Sequence, residues 1–258
     1  MYKFLKRFFD IVVSFTAIVC FSWLLLLLTL FVAIFLGRPV VFKQPRPGKN
    51  GKIFMLYKFR SMTNKKDENG NLLPDAQRIT KFGKFLRVSS LDELPQLFNI
   101  LKGDMSLIGP RPRMIEECVF LNKDQLTRFE VRPGITGLAQ INGRNNITFD
   151  TVVEFDKEYV KNLSFGQDVK IFFKTFGYVL SKKDVNKTGT VSNEFYGDYL
   201  LRTKQISQEV YDEKLVIAKS MVKAVLDKKQ FKSIKKAHKE INVLTSQEDF
   251  DLERKIVD

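Results

Sequence analysis

Hydrophobic and polar positions follow three regimes along this chain. From Ile11 to Gly37 the run "IVVSFTAIVCFSWLLLLLTLFVAIFLG" holds no Asp, Glu, Lys or Arg. A helix needs only about 20 apolar residues to cross the hydrocarbon core, so this segment is long enough to span. It is too long for a signal-peptide core, and no small-residue cleavage site follows it. The middle regime is mixed. Val40–Phe42 and Ile53–Phe59 read as strands around "KQPRPGKNG", whose Pro-Gly and Asn-Gly pairs predict a hairpin. A polar loop follows over 63–75. Helical spacing then covers Ile79–Val88, Leu94–Leu101, Met114–Phe129, Phe149–Leu163 and Asp168–Leu180, with 131–146 reading as loop. Past Gly197 the chain becomes charged. Val210, Leu215, Ile217, Met221, Val225, Phe231 and Ile234 make an uneven helical stripe there. The pattern predicts a helix-dominated α+β protein with a short β-hairpin and amphipathic surface helices. Its parts are a membrane-embedded helix with its basic flank (1–38), a small globular domain (39–197) and a charged helical extension (198–258) to which the sequence assigns no role.

The flanks of the apolar run pull in the same direction. Lys3, Lys6 and Arg7 precede it, and Arg38, Lys43, Arg46, Lys49 and Lys52 follow. The positive-inside rule draws both ends toward the cytoplasm, and one spanning helix satisfies only one end. The residues leave two topologies open: a spanning helix, or one that enters a leaflet, bends and returns. No proline breaks the run. Ser14, Thr16, Ser22 and Thr29 are the residues able to bend it by bonding back to the preceding turn.

Composition narrows the chemistry. The 258 residues are 44% hydrophobic and include 24 Phe, which excludes a disordered chain. The formal net charge of +14 predicts an anionic partner: a nucleic acid, a lipid surface or a phosphorylated substrate. An apolar anchor without any nucleic-acid-binding signature argues for lipid and phosphate. Cys20 lies in the apolar run and Cys118 is the only other cysteine, so a reducing compartment is the simpler reading. The single histidine, His238, sits far out in the extension. A Ser-His-Asp triad or a multi-histidine metal site is therefore excluded from the core.

Chemistry then rests on carboxylates and cations. "VSSLDELPQL" (88–97) places Asp92 and Glu93 together before Pro95. Ser90 and Glu93 match a capping box, and acids suit a helix N-terminus, so capping accounts for the pair on spacing alone. The cations supply the other reading. Lys58 and Arg60 lie in "YKFRS", Arg111 and Arg113 in "GPRPR", Arg144 in "NGRNN", and Arg87 stands alone. Guanidinium groups suit phosphate oxygens, and the glycines of "PGITG" and "NGR" let backbone amides approach an anion. With two acids beside them, these residues point to a phosphate-rich substrate and a divalent metal. Oxygen ligands such as Asp92 and Glu93 favour magnesium, or manganese. A membrane-bound phosphate- or lipid-binding protein without catalysis is the alternative.

From Lys3 to about Gly197 the chain resembles the bacterial sugar transferases, the monotopic phosphoglycosyl transferases. The stretches that carry the resemblance are "FKQPRPGKNGKIFMLYKFRSM", "SLDELPQLFNILKGDMSLIGPRPR", "RPGITGLAQINGR" and "KNLSFGQDVKI". It is most similar to the small members that begin glycan assembly for bacterial N-glycosylation with a bacillosamine-type sugar. The resemblance implies transfer of a sugar-1-phosphate from a UDP-sugar, N-acetylated by similarity, to polyprenyl phosphate with release of UMP. It implies Asp92 as the nucleophile of a covalent phosphosugar intermediate and Glu93 as a magnesium ligand. Arg111 and Arg113 would contact substrate phosphates, and Lys58 would support the acid pair. It further implies a re-entrant helix at the bacterial inner membrane, a catalytic domain facing the cytoplasm, and downstream glycosyltransferases as partners. Where the family carries Ser-Pro midway in the membrane helix, this chain has Ser22-Trp23.

Overall fold

The computed structural model describes residues 2–143, 147–181 and 195–227. The apolar run forms two helices, α1 (Tyr2–Cys20) and α2 (Ser22–Leu36), bent by 65°. The break falls at Phe21 (φ −100°, ψ 14°), directly before Ser22-Trp23. Neither helix alone is long and apolar enough to cross a membrane. Ser14 and Thr29 do bond back, to Asp10 O (2.5 Å) and Leu25 O (2.7 Å), but both lie away from the break. The bend therefore has another cause.

That cause is the domain that follows. β1 (Val41–Pro47) and β2 (Ile53–Phe59) form an antiparallel hairpin, with Val41 opposite Phe59 and Pro47 opposite Ile53. β1 runs further than expected, through Pro45 and Pro47. Each strand of a two-stranded ribbon has a free edge, where the missing N–H of proline costs no ladder bond. α3 (Asp75–Arg78) and α4 (Lys81–Val88) follow, and Thr80 caps α4 by accepting from Gly83 N (3.0 Å). α5 is Gln96–Lys102. β3 (Ser106–Ile108) pairs in parallel with β4 (Gly134–Thr136), inside the segment expected to be loop.

The helix expected over Met114–Phe129 is not continuous. α6 (Ile115–Cys118) stops, and a 3-10 turn resumes at Gln125–Glu130. Between them Asn122 and Gln125 exchange side-chain bonds: Gln125 N donates to Asn122 Oδ1 (2.9 Å) and Asn122 N to Gln125 Oε1 (3.0 Å). This closed local turn competes with the helical ladder and wins. α7 (Leu138–Ile141), α8 (Phe149–Lys161) and α9 (Phe165–Ser181) complete the middle of the chain.

The anchor is part of the core. Leu28, Val32 and Leu36 of α2 pack on Phe59 and Leu86, while Ala17 and Ile18 of α1 reach Phe54, Leu56, Leu97, Ile100 and Met105. Polar staples reinforce this. Asp10 accepts from Ser106 Oγ (3.0 Å) and Leu107 N (2.9 Å). Arg7 donates to Ile100 O (2.6 Å) and Leu101 O (2.9 Å), satisfying carbonyls at the end of α5. Lys6 (2.6 Å), Tyr2 and Tyr159 (2.8 Å) converge on Asp168 of α9. The two halves are thus gripped separately by one domain, at the 65° angle between them.

α10 (Tyr196–Arg202) and α11 (Gln208–Leu226) follow, so the expected boundary between Gly197 and residue 198 falls inside a helix. Tyr196 and Leu200 are buried with Phe120, Leu121, Phe149 and Val153, and Tyr211 and Leu215 pack against them. Residues 195–226 thus share a core with the preceding domain. Phe231, Ile234 and His238 lie outside the described residues.

Candidate active site

The acid pair occupies a turn built by its apolar neighbours. After α4, Ser90 adopts a left-handed conformation (φ 57°, ψ 16°), and one 3-10 turn, Leu91–Glu93, leads through Pro95 into α5. Leu91 and Leu94, which flank the acids, pack into the cluster formed by α2, Phe59 and Leu86. The capping box is not made. No bond from the Ser90 side chain caps the turn, and the Glu93 carboxylate is engaged elsewhere.

Glu93 Oε1 accepts from Arg111 (2.6 Å) and from Lys58 of β2 (2.8 Å). Both contacts fall on one oxygen, which leaves Oε2 for a further ligand. Asn99 sets this geometry: from α5 it accepts from Tyr57 N (3.0 Å) and donates to Met55 O (2.8 Å), locking the helix to the strand that carries Lys58. A buried Asn within the otherwise apolar "LFNIL" was the signal for this residue. On the other side Arg128 holds the Arg111 loop, donating to Arg111 O (2.8 Å).

The two acids are electrostatically split. Burial alone would raise the Glu93 pKa, but Arg111 and Lys58 outweigh it and hold the group at about 2. Asp92 is 8% exposed, and burial pushes its pKa up. The charges of Lys58, Arg87 and Arg111 oppose that rise, and the neighbouring Glu93 adds to it. Paired titratable groups driven apart by their surroundings are the usual mark of divided chemical labour.

The remaining cations are placed differently. Arg87, at the end of α4, donates to Ser61 Oγ (2.9 Å) and acts on Asp92 through its charge. Arg60 is buried and donates to Met62 O (2.9 Å) and Arg38 O (2.7 Å), so two of its nitrogens brace backbone rather than approach the acids. Arg113 lies 3.5 Å from Glu117 and over the Phe149 ring. Arg144 lies outside the described residues. Of the glycines read as able to bring amides to an anion, Gly134 is engaged within the protein. Gly109 N donates to Thr136 O (2.8 Å) and Gly134 N to Pro110 O (2.9 Å), so these amides join the two loops to each other.

Among the described residues no group of three or more His, Cys, Asp or Glu side chains is arranged to hold a metal. Two adjacent carboxylates still fit magnesium, which commonly takes one or two protein carboxylates and completes its octahedron with phosphate oxygens and water. Oε2 of Glu93 and the carboxylate of Asp92 would be the donors for such an ion.

Residues 1–182 match the family described as bacterial sugar transferase, and the chain belongs to it. It is 48% identical over 190 residues to the uncharacterized sugar transferase EpsL of Bacillus subtilis, covering 74% of this chain and 94% of that one. It is 42% identical over 197 residues to the undecaprenyl-phosphate galactose phosphotransferase of Salmonella typhimurium (70% and 41% of the two chains). It is 41% identical over 192 residues to the UDP-N-acetylgalactosamine-undecaprenyl-phosphate N-acetylgalactosaminephosphotransferase of Aeromonas hydrophila (70% and 45%). The chain thus spans less than half the length of the last two.

Proposed function

We propose that this protein transfers a sugar-1-phosphate from a UDP-sugar to undecaprenyl phosphate at the inner membrane, releasing UMP, as the first step of glycan assembly. The observation that carries the reading is the split pair: a buried Asp92 beside a Glu93 already neutralised by Lys58 and Arg111. The names of the relatives from Salmonella and Aeromonas support the substrate classes. An N-acetylated sugar is the first donor to test, and a bacillosamine-type sugar belongs in the same panel.

Asp92 is the nucleophile. Its carboxylate oxygen bonds to the phosphorus that bears the sugar, and the bond from that phosphorus to the phosphate of UMP breaks. The oxygen of the lipid phosphate then attacks the same phosphorus and frees Asp92. Covalent capture divides one displacement into two, so a soluble donor and a lipid acceptor use the site in turn. Arg111 stands where charge builds on the phosphates, and Arg113 and Arg87 extend the cationic wall. Magnesium on Asp92 and Glu93 would supply further neutralisation of the diphosphate.

The anchor is re-entrant in this reading. Lys6 and Arg7 at its start contact the same domain that its end leads into, an arrangement a straight span denies. Exposed Phe85 of α4, Phe98 of α5 and Phe165, Phe172, Phe173 and Phe176 of α9 suit burial in the headgroup layer, where the lipid phosphate resides. The catalytic domain then faces the cytoplasm, where nucleotide sugars are made, and hands its product to later glycosyltransferases.

The test is UMP release by purified protein with undecaprenyl phosphate, magnesium and a panel of UDP-sugars, beside Asp92→Asn. Release by the parent alone, with a phosphosugar mass adduct on Asp92, is the expected result. Equal release by folded Asp92→Asn would remove Asp92 as nucleophile.

A further inference from the structure

Two half-buried arginines, Arg46 and Arg113, each keep a buried nitrogen without a partner among the described residues. Arg113 has one long contact, 3.5 Å to Glu117, and its Nε is buried with no hydrogen-bond acceptor among the described residues. Arg46 of β1 donates to Gln44 Oε1 (2.7 Å), and its Nε is likewise buried without an acceptor. β1, which carries Arg46, packs against α6, whose Glu117 pairs with Arg113. Buried donors without acceptors are costly, and guanidinium groups are shaped for phosphate oxygens.

What holds Arg113 is a stack. Its guanidinium carbon lies 4.9 Å from the centre of the Phe149 ring. The Tyr196 ring is stacked on Phe149 at 3.9 Å and 15°, filling one face, so the guanidinium takes the other. Tyr196 is fixed in turn: its hydroxyl donates to Asp150 Oδ1 (3.1 Å) and accepts from Gln125 Nε2 (3.2 Å). Tyr196 belongs to α10, beyond the family match at residues 1–182.

We propose that Arg46 joins Arg113 in a subsite for the uridine-side phosphate of the donor, and that α10 braces this subsite through Tyr196 and Phe149. The inference rests on the transferase reading and deepens it. Arg46 touches the phosphate. Tyr196 is a positioning residue that holds Arg113 in the rotamer that meets it, at little entropic cost on binding.

The test is equilibrium binding of UMP, and of uridine as the control without phosphate, to the full chain in detergent. Arg46→Gln and Tyr196→Leu are each expected to weaken UMP about tenfold, the scale of one charge-assisted hydrogen bond. Tyr196→Phe, which keeps the stack, stays within about twofold of the parent. Uridine binding is unchanged in all three. In turnover assays the KM for donor rises while kcat and the KM for lipid phosphate hold. Unchanged UMP affinity in Arg46→Gln overturns the proposal, as does an equal loss for uridine. Should Tyr196→Leu fail to fold, Arg46→Gln and Tyr196→Phe decide alone. A parent that binds UMP while its arginine variants do so equally well refutes the subsite only. A parent that neither binds UMP nor turns over refutes the transferase reading beneath it.

Discussion

The Arg128 guanidinium and the Asp156 carboxylate meet 2.8 Å apart with side chains only 2% and 1% exposed. Arg128 also supports the Arg111 carbonyl, so the pair underpins the loop that reaches Glu93. Asp156→Asn is expected to destabilise the protein by about 3–5 kcal/mol, because the buried guanidinium loses its counter-charge. Chemical denaturation in micelles measures this. Arg128→Met with Asp156→Leu should regain much of the loss, and a double variant no better than the single would contradict the account.

Glu93 makes a pH-dependent contribution whose sign follows from its depressed pKa. A group near 2 in the fold and 4.5 when unfolded stabilises fully above pH 4.5, and the benefit disappears as pH falls toward 2. The shift of about 2.5 units corresponds to about 3 kcal/mol at neutral pH. Glu93→Gln should therefore lower the melting temperature at pH 7 and converge with the parent near pH 2. A gap that persists unchanged across that range would assign the loss to packing.

Asp92 has the opposite sign. Its raised pKa means that the ionised form costs stability above that pKa, and the cost is absent below the unfolded value of 3.8. Asp92→Asn should melt higher than the parent at pH 7, with the advantage shrinking as the pH drops. Turnover should behave inversely, with an acid limb above the ordinary aspartate range, because only the carboxylate attacks. A stabilised, folded, inactive Asp92→Asn is the joint outcome to look for.

Gly134 tests how tightly the loop of Arg111 and the β4 loop abut. A methyl group there would lie 2.1 Å from Gly109 N and 2.5 Å from Thr136 O, both backbone atoms that cannot rotate away. Gly134→Ala should cost about 2 kcal/mol or more by overpacking and depress activity as the Arg111 loop shifts. Wild-type stability in this variant would mean that the loops stand further apart.

Re-entry of the anchor is open to labelling. A cysteine at Lys3, in a background with Cys20 and Cys118 replaced, should react with membrane-impermeant reagent from the same side as the catalytic domain. Reaction from the opposite side only would restore the straight span.

Much of this site was legible because its residues are contiguous and charged. "LDELP" announced an acid pair, and the spacing of "KFR" and "PRPR" announced cations. α4, α8 and α9 followed from ordinary helical periodicity. Long-range choices were not legible. Glu93 matched a cap, and only the approach of Lys58 and Arg111 from distant segments decided that its carboxylate turns away. Arg60 looked like its neighbours, yet burial commits two of its nitrogens to backbone carbonyls. The β3–β4 pair consists of three-residue strands whose hydrogen bonds have no sequence period to reveal them. Tyr196 lay at the very end of the domain as read from the sequence and carried no role there, because stacking on Phe149 leaves no mark in composition.

The break at Phe21 holds its angle without proline, through grips on α5, β3 and α9 that lie far downstream. Synthesis runs in the other direction. The anchor leaves the ribosome before any of its grips exist, as one uninterrupted apolar stretch. Its angle is imposed later, when the domain closes around it. The shape of this apolar segment is thus a product of tertiary folding, and any mutation that slows the domain also prolongs the life of an unbent helix pair.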